Sequence, residues 1–122
     1  MKKKIHILAV ILLFAAAGTV SADFDDDVIA LFNDFLGRLT AKHETLKNLA
    51  MPGTEVRGIP GEESLTQAVI LLRFESLQDT DVFVAALEAE NIPYGSFPDD
   101  DRKILLFSED MIRFVMKDAI GL

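Results

Sequence analysis

The sequence predicts an α+β domain: a four-stranded, mainly antiparallel sheet packed with helices, preceded by a long N-terminal helix. Three observations predict it. Apolar residues recur at helical spacing over residues 24–50, 80–91 and 109–120. Two short runs, 67–75 and 103–107, are apolar almost throughout and rich in branched and aromatic side chains, as central strands are. Turn signals at Met51-Pro52-Gly53, Pro60-Gly61 and Pro98-Asp99-Asp100-Asp101 separate these segments.

The N-terminus reads as a secretory signal peptide over residues 1–22. Lys2, Lys3 and Lys4 form a positive start, and Ile5 to Ala17 is an apolar run interrupted by His6. Val20-Ser21-Ala22 places small side chains where a signal peptidase reads. The flank after it is acidic, not the basic cluster of a stop-transfer anchor, so cleavage before Asp23 is expected over retention as an anchor. With no Cys near the end of this segment, no bacterial lipid anchor is expected there.

In the remaining chain, 23–122 as a single domain, residues 24–50 read as one long helix. Asp25, Asp26 and Asp27 suit the positive end of its dipole. Val28, Phe32, Phe35, Leu39, Leu46 and Leu49 form its apolar stripe, with Lys42 interrupting and Gly37 as the weak point. The same stripe fits a short heptad pattern. Residues 54–59 are a strand candidate. Residues 67–75 are apolar on both faces and predict a central strand covered on both sides, although Ser64 and Gln67 resemble a helix capping box. Asp79-Thr80-Asp81 is expected to cap a helix over 80–91. Residues 94–97 and 103–107 then form a hairpin. Ser108 is expected to cap the last helix, 109–120, with Gly121 ending it.

The two apolar strands should be central neighbours and the two short ones edges. The crossover through the middle helix makes the second and third strands parallel. The spatial order is then 1-2-4-3, a ferredoxin-like arrangement in circularly permuted order. Leu71, Leu105 and Phe114 are expected in the core.

Residues 1–22 carry three of the 12 Lys+Arg and none of the 20 Asp+Glu. Their removal leaves 100 residues with a formal charge of −11. That charge opposes phosphate backbones and anionic lipid, so neither nucleic acid nor, after cleavage, a membrane is an expected partner. It suits a cationic partner, or solubility alone. The absence of Cys means that an exported chain has no disulfides and relies on its core. It also excludes thiol nucleophiles and Cys-based metal sites.

Signals for chemistry are sparse. After the leader, His43 is the one imidazole, at the edge of an apolar stripe with no local partner. Gly-x-Ser-x-Gly and phosphate-binding Gly-rich loops are missing. The acidic clusters 23–27 and 99–101 lack the spacing of a calcium loop. No Trp and a single Tyr leave little aromatic platform for sugars or single strands. No catalytic, cofactor-binding or metal residue is therefore assigned, and no cofactor is expected.

The surplus is apolar. Met111, Phe114, Val115 and Met116 cover more than one face of the last helix, and Phe32 and Phe35 extend the first. These residues are the candidate interaction surface, with Asp99, Asp100 and Asp101 as an acidic rim. The expected function is that of an exported, periplasmic or extracellular, non-enzymatic protein acting by contact with a protein partner or with itself. An alternative is an inhibitor or immunity-type protein that neutralises a cationic exported toxin or hydrolase. A second is a small hydrolase using carboxylates or His43.

Overall fold

The structure, a computed structural model, describes residues 22–58 and 64–121. The expected signal segment lies outside the described residues up to Ser21, as do Ile59 and the Pro60-Gly61 turn. Helix α1 spans Ala22–Lys42 and strand β1 Gly53–Arg57. Strand β2 spans Val69–Arg73, helix α2 Leu77–Ala89, and strand β3 Gly95–Ser96. Strand β4 (Lys103–Phe107) leads directly into helix α3 (Ser108–Ala119). Two single 3₁₀ segments, Glu44–Asn48 and Leu65–Gln67, complete the described elements. No helix among the described residues is long and apolar enough to cross a membrane.

The sheet has the order β1-β2-β4-β3, and every neighbouring pair is antiparallel. β2 and β3 are both antiparallel to β4 and so run parallel to each other, as the crossover requires. In the register, Val56, Ile70 and Leu106 share one row, and Leu72 and Ile104 the next. This face meets all three helices in one cluster. α1 contributes Phe24, Val28, Leu31, Phe32, Phe35 and Leu39, α2 contributes Phe83, Ala86 and Leu87, and α3 contributes Met111, Ile112, Phe114 and Val115. Phe35 and Phe114 join the first and last helices edge to face at 5.3 Å, and Phe74 packs on Phe83 at 5.2 Å. Such pairs add to the burial of their own area. The heptad-like stripe of α1 is thus an intramolecular seam.

Several boundaries differ from the sequence reading. α1 passes through Gly37 without a break. A Cβ there would meet nothing within 4 Å, so the glycine stands on the solvent side and leaves no void. The helix ends at Lys42, not near residue 50, and His43 takes an extended conformation (φ −132°, ψ 90°). The chain turns there and returns Leu46 to the core through the 3₁₀ segment. β2 is shorter than 67–75 because Ser64 caps the 3₁₀ turn before it, its Oγ accepting from the Thr66 N–H at 3.4 Å. The capping signal seen in the sequence is real but starts one turn, not a helix.

α2 begins at Leu77, three residues before the expected start. Its cap is Ser76, whose Oγ accepts from the Asp79 N–H at 3.1 Å; the aspartate is a first-turn residue. The helix closes through Asn91 at φ 57°, a left-handed position that asparagine tolerates. β3 is two residues long rather than four. Ser108 does not cap α3 from outside. It is the first residue of the helix, and its fully buried Oγ accepts from the Ala68 N–H at 3.0 Å. The Ser108 N–H donates to the Ala68 carbonyl at 2.9 Å. These two hydrogen bonds fix the start of α3 to the start of β2.

The largest departure concerns the central strands. β2 and β4 both alternate strictly between half-buried and buried residues, ending on an exposed one. Leu71 and Leu105 are therefore not in the core, whereas Phe114, at 7% exposure, is. The helices cover one face of the sheet, and the apolar residues of the other face stand outside the core cluster.

Candidate functional site

The structure removes most of the expected apolar surface from contact with solvent. Phe32, Phe35, Met111, Phe114 and Val115 are all buried, and Met116 is half-buried against the same cluster. The physical reason is that α3 lies against α1 on one side and the sheet on another, so it needs two apolar faces. The surplus read in the sequence is consumed by this double packing.

The acidic rim is divided. Asp99 and Asp101 are exposed at the β3–β4 turn. Asp100 builds the turn. One oxygen accepts from the Arg102 N–H at 3.0 Å and the other from the Arg73 guanidinium at 3.1 Å. The Arg102 N–H holds the Asp100 carboxyl below the usual aspartate range, opposed by desolvation and aided by the charges of Arg73, Lys103 and Arg102. Among the described residues no group of three or more His, Asp or Glu side chains is placed to hold a metal ion.

Two surfaces remain. The first is a charged cluster where the C-terminal ends of the three helices meet. The His43 Nε2–H donates to Glu90 at 2.7 Å, with both side chains 23% exposed. Lys42 lies 4.0 Å from Glu90 and 3.8 Å from Asp118. Arg38 donates to Asp118 at 2.9 Å and to Asp34 at 3.0 Å. The Asp118 hydrogen bond raises the Arg38 pKa further above its ordinary value, with burial partly opposing it.

Glu90 caps α2 and Asp118 lies in the last turn of α3, positions where a helix dipole disfavours carboxylates. Arg38 and Lys42 of the α1 end offset them, and His43 hydrogen-bonds Glu90. A cleft of about 150 Å³ adjoins the cluster, lined among others by Lys42, Glu90, Arg113, Phe114, Lys117 and Asp118. Arg113 is tied to Glu109 and Asp110, and Lys42 lies over the Phe114 ring at 5.6 Å. This cluster was invisible in the sequence. Its two central partners are 47 residues apart, and only a carboxylate at the wrong end of a predicted helix hinted at it.

The second surface is the open face of the sheet. Leu71 stands opposite Leu105, and Val69 opposite Phe107, across the β2–β4 pair. The first three are half-buried and Phe107 is 37% exposed. Glu55 and Arg57 of β1 extend these two rows, and Arg73 and Lys103 form the next. Glu55 and Arg57 pair with each other, and Lys103 lies over the Phe97 ring at 5.2 Å.

Fold and surface together define a class: a small α+β protein whose sheet, among the described residues, has one face under three helices and an apolar face left open. Comparison of the chain with models of protein families, with curated proteins and with solved structures finds no match.

Proposed function

We propose that this chain is an exported, non-enzymatic protein that acts by contact with another protein, and that the open sheet face makes the contact. The observation that carries the reading is the pair of apolar rows, Val69 with Phe107 and Leu71 with Leu105, partly exposed on the face away from the helices. A sheet seeks a layer on each apolar face, and a contiguous exposed apolar patch on a small protein marks a contact site. The charged cluster supports a non-catalytic reading. Its carboxylates are engaged by Arg38, Lys42 and His43, which ties the three helix ends together. Export rests on the basic, apolar and small-residue pattern of residues 2–22.

The test is a photo-cross-linking residue placed at Leu71 or Leu105 in the cells the chain comes from, with Asp81 on α2 as the control. The reading expects adducts of discrete mass from the two sheet positions and none from Asp81, on a chain whose first residue is Asp23. Identical patterns from all three positions, or none from the sheet, overturn the contact reading. A recovered chain that retains residues 1–22 overturns cleavage.

A second reading, an inhibitor or immunity-type protein with a basic target, draws on the −11 charge and on the exposed Asp99 and Asp101. It expects adducts from Asp99 or Asp101 in place of Leu71.

A further inference from the structure

We infer that the free edge of β1 is a self-association site, at which two copies of this chain pair β1 with β1, antiparallel, across a two-fold axis at Val56. The two edges of the sheet differ. β3 is two residues long, and Pro93 and Pro98 flank it, so it offers a neighbouring strand few donors. β1 is five residues long and holds neither Pro nor Lys. Every residue of it is exposed except Val56, which is half-buried. Its one sheet neighbour is β2. Among the described residues, no hydrogen bond reaches the β1 main chain from its other side. Such a row of unpaired N–H and C=O groups is a template for a further strand.

Charge register selects a second copy and its alignment. Glu55 and Arg57 stand on the same face of β1 and pair with each other. A two-fold axis perpendicular to the sheet keeps each face on its own side. With that axis at Val56, Glu55 of each copy stands opposite Arg57 of the other, and Thr54 opposite Gly58. The four charges form a square in which every neighbour has the opposite sign. An axis at Glu55 would set glutamate against glutamate, and one at Arg57 arginine against arginine. An axis at Thr54 would leave Arg57 opposite no residue of the strand. Directly opposed side chains are about 5 Å apart, inside the screening length of about 8 Å at physiological salt. The −11 charge of residues 23–122 acts mostly beyond that length, so the local square decides. The pairing joins two four-stranded sheets into one of eight strands, with both open faces on one side and the helices on the other. It uses the edge of the sheet, not the face, and so stands apart from the contact reading.

The experiment is sedimentation equilibrium of the chain, expressed from its full sequence and purified, over a concentration series at physiological salt. The expected result is a monomer–dimer equilibrium. Glu55→Arg alone and Arg57→Glu alone should each weaken it at least about tenfold, because each sets like charges across the axis. An equimolar mixture of these two variants should restore the dimer, since a cationic edge then meets an anionic one. The double variant, Glu55→Arg with Arg57→Glu, should dimerise like the parent. Melts matching that of the parent establish that each variant is folded; the double variant keeps the composition and serves where a single one does not fold. A parent chain that stays monomeric up to about 1 mM overturns the inference. So does dimerisation that both single variants leave unchanged, or a mixture no more associated than its two components. By NMR, the amides of residues 54–58 of the parent should shift with concentration. Shifts at Leu71 and Leu105 in their place would put the self-contact on the open face and overturn the edge pairing. Cross-links from Leu71 to another protein bear on the contact reading alone.

Discussion

Leu71 and Leu105 face each other across the β2–β4 pair on the side of the sheet away from the helices, while their neighbours Leu72 and Ile104 pair on the buried side. One residue step along either strand separates core from open surface, as the two-residue period of a strand demands.

That step gives the first prediction. Leu72→Ala removes a fully buried side chain and should cost about 2–5 kcal/mol. Leu71→Ala, on the open face, should cost about 1 kcal/mol or less. Urea unfolding of the two variants checks the contrast; equal losses would mean that the open face is covered within the chain.

Ser108 offers a second. Ser108→Ala leaves the buried Ala68 N–H without its acceptor and should cost about 1–3 kcal/mol. For a chain of this size that is a fall in Tm of at least about 4 °C. A melt within a degree of the parent would show that the junction of β2 and α3 does not depend on the hydroxyl.

The helix-end cluster offers a third. His43→Ala and Glu90→Ala, alone and together, should show a coupling of about 0.5–1 kcal/mol, as a partly exposed hydrogen bond to a carboxylate gives. Additive losses would mean that the two side chains are neighbours without an interaction.

A fourth concerns acid. The folded-state pKa of Asp100 is lowered, so its contribution to stability is complete above the ordinary aspartate range and is lost as pH falls through the folded value. Asp100→Asn should therefore lower Tm at neutral pH, with the gap from the parent closing below about pH 4. A gap that widens in acid would contradict the assigned sign.

The sequence carried the strand order because two runs were apolar enough to be central and two were too short to be anything but edges. It did not carry the open face. Ala68 to Leu72 is apolar at every position, so alternation was masked, and a half-exposed Leu71 looked like a buried one. The reverse error occurred in α3, where Phe114 and Val115 looked like surplus surface until α1 and the sheet were found on two sides of the helix. Ser108 has the residue type of a cap and the position of one, but its partner is Ala68, 40 residues away. His43 and Glu90 likewise meet only through tertiary structure. Local signals located elements; long-range partners decided what each polar side chain does.

The central claim is that the open face is exposed in the free protein and occupied in its working compartment. The chain contains no Cys, so one introduced thiol reports on one position. Alkylation rates of Leu71→Cys and Leu72→Cys, in the purified chain and in the compartment proposed for it, measure it directly. The account predicts that Leu71→Cys reacts readily when purified and is protected in the compartment, while Leu72→Cys is unreactive in both. Equal reactivity of Leu71→Cys in the two settings, or none when purified, would contradict it.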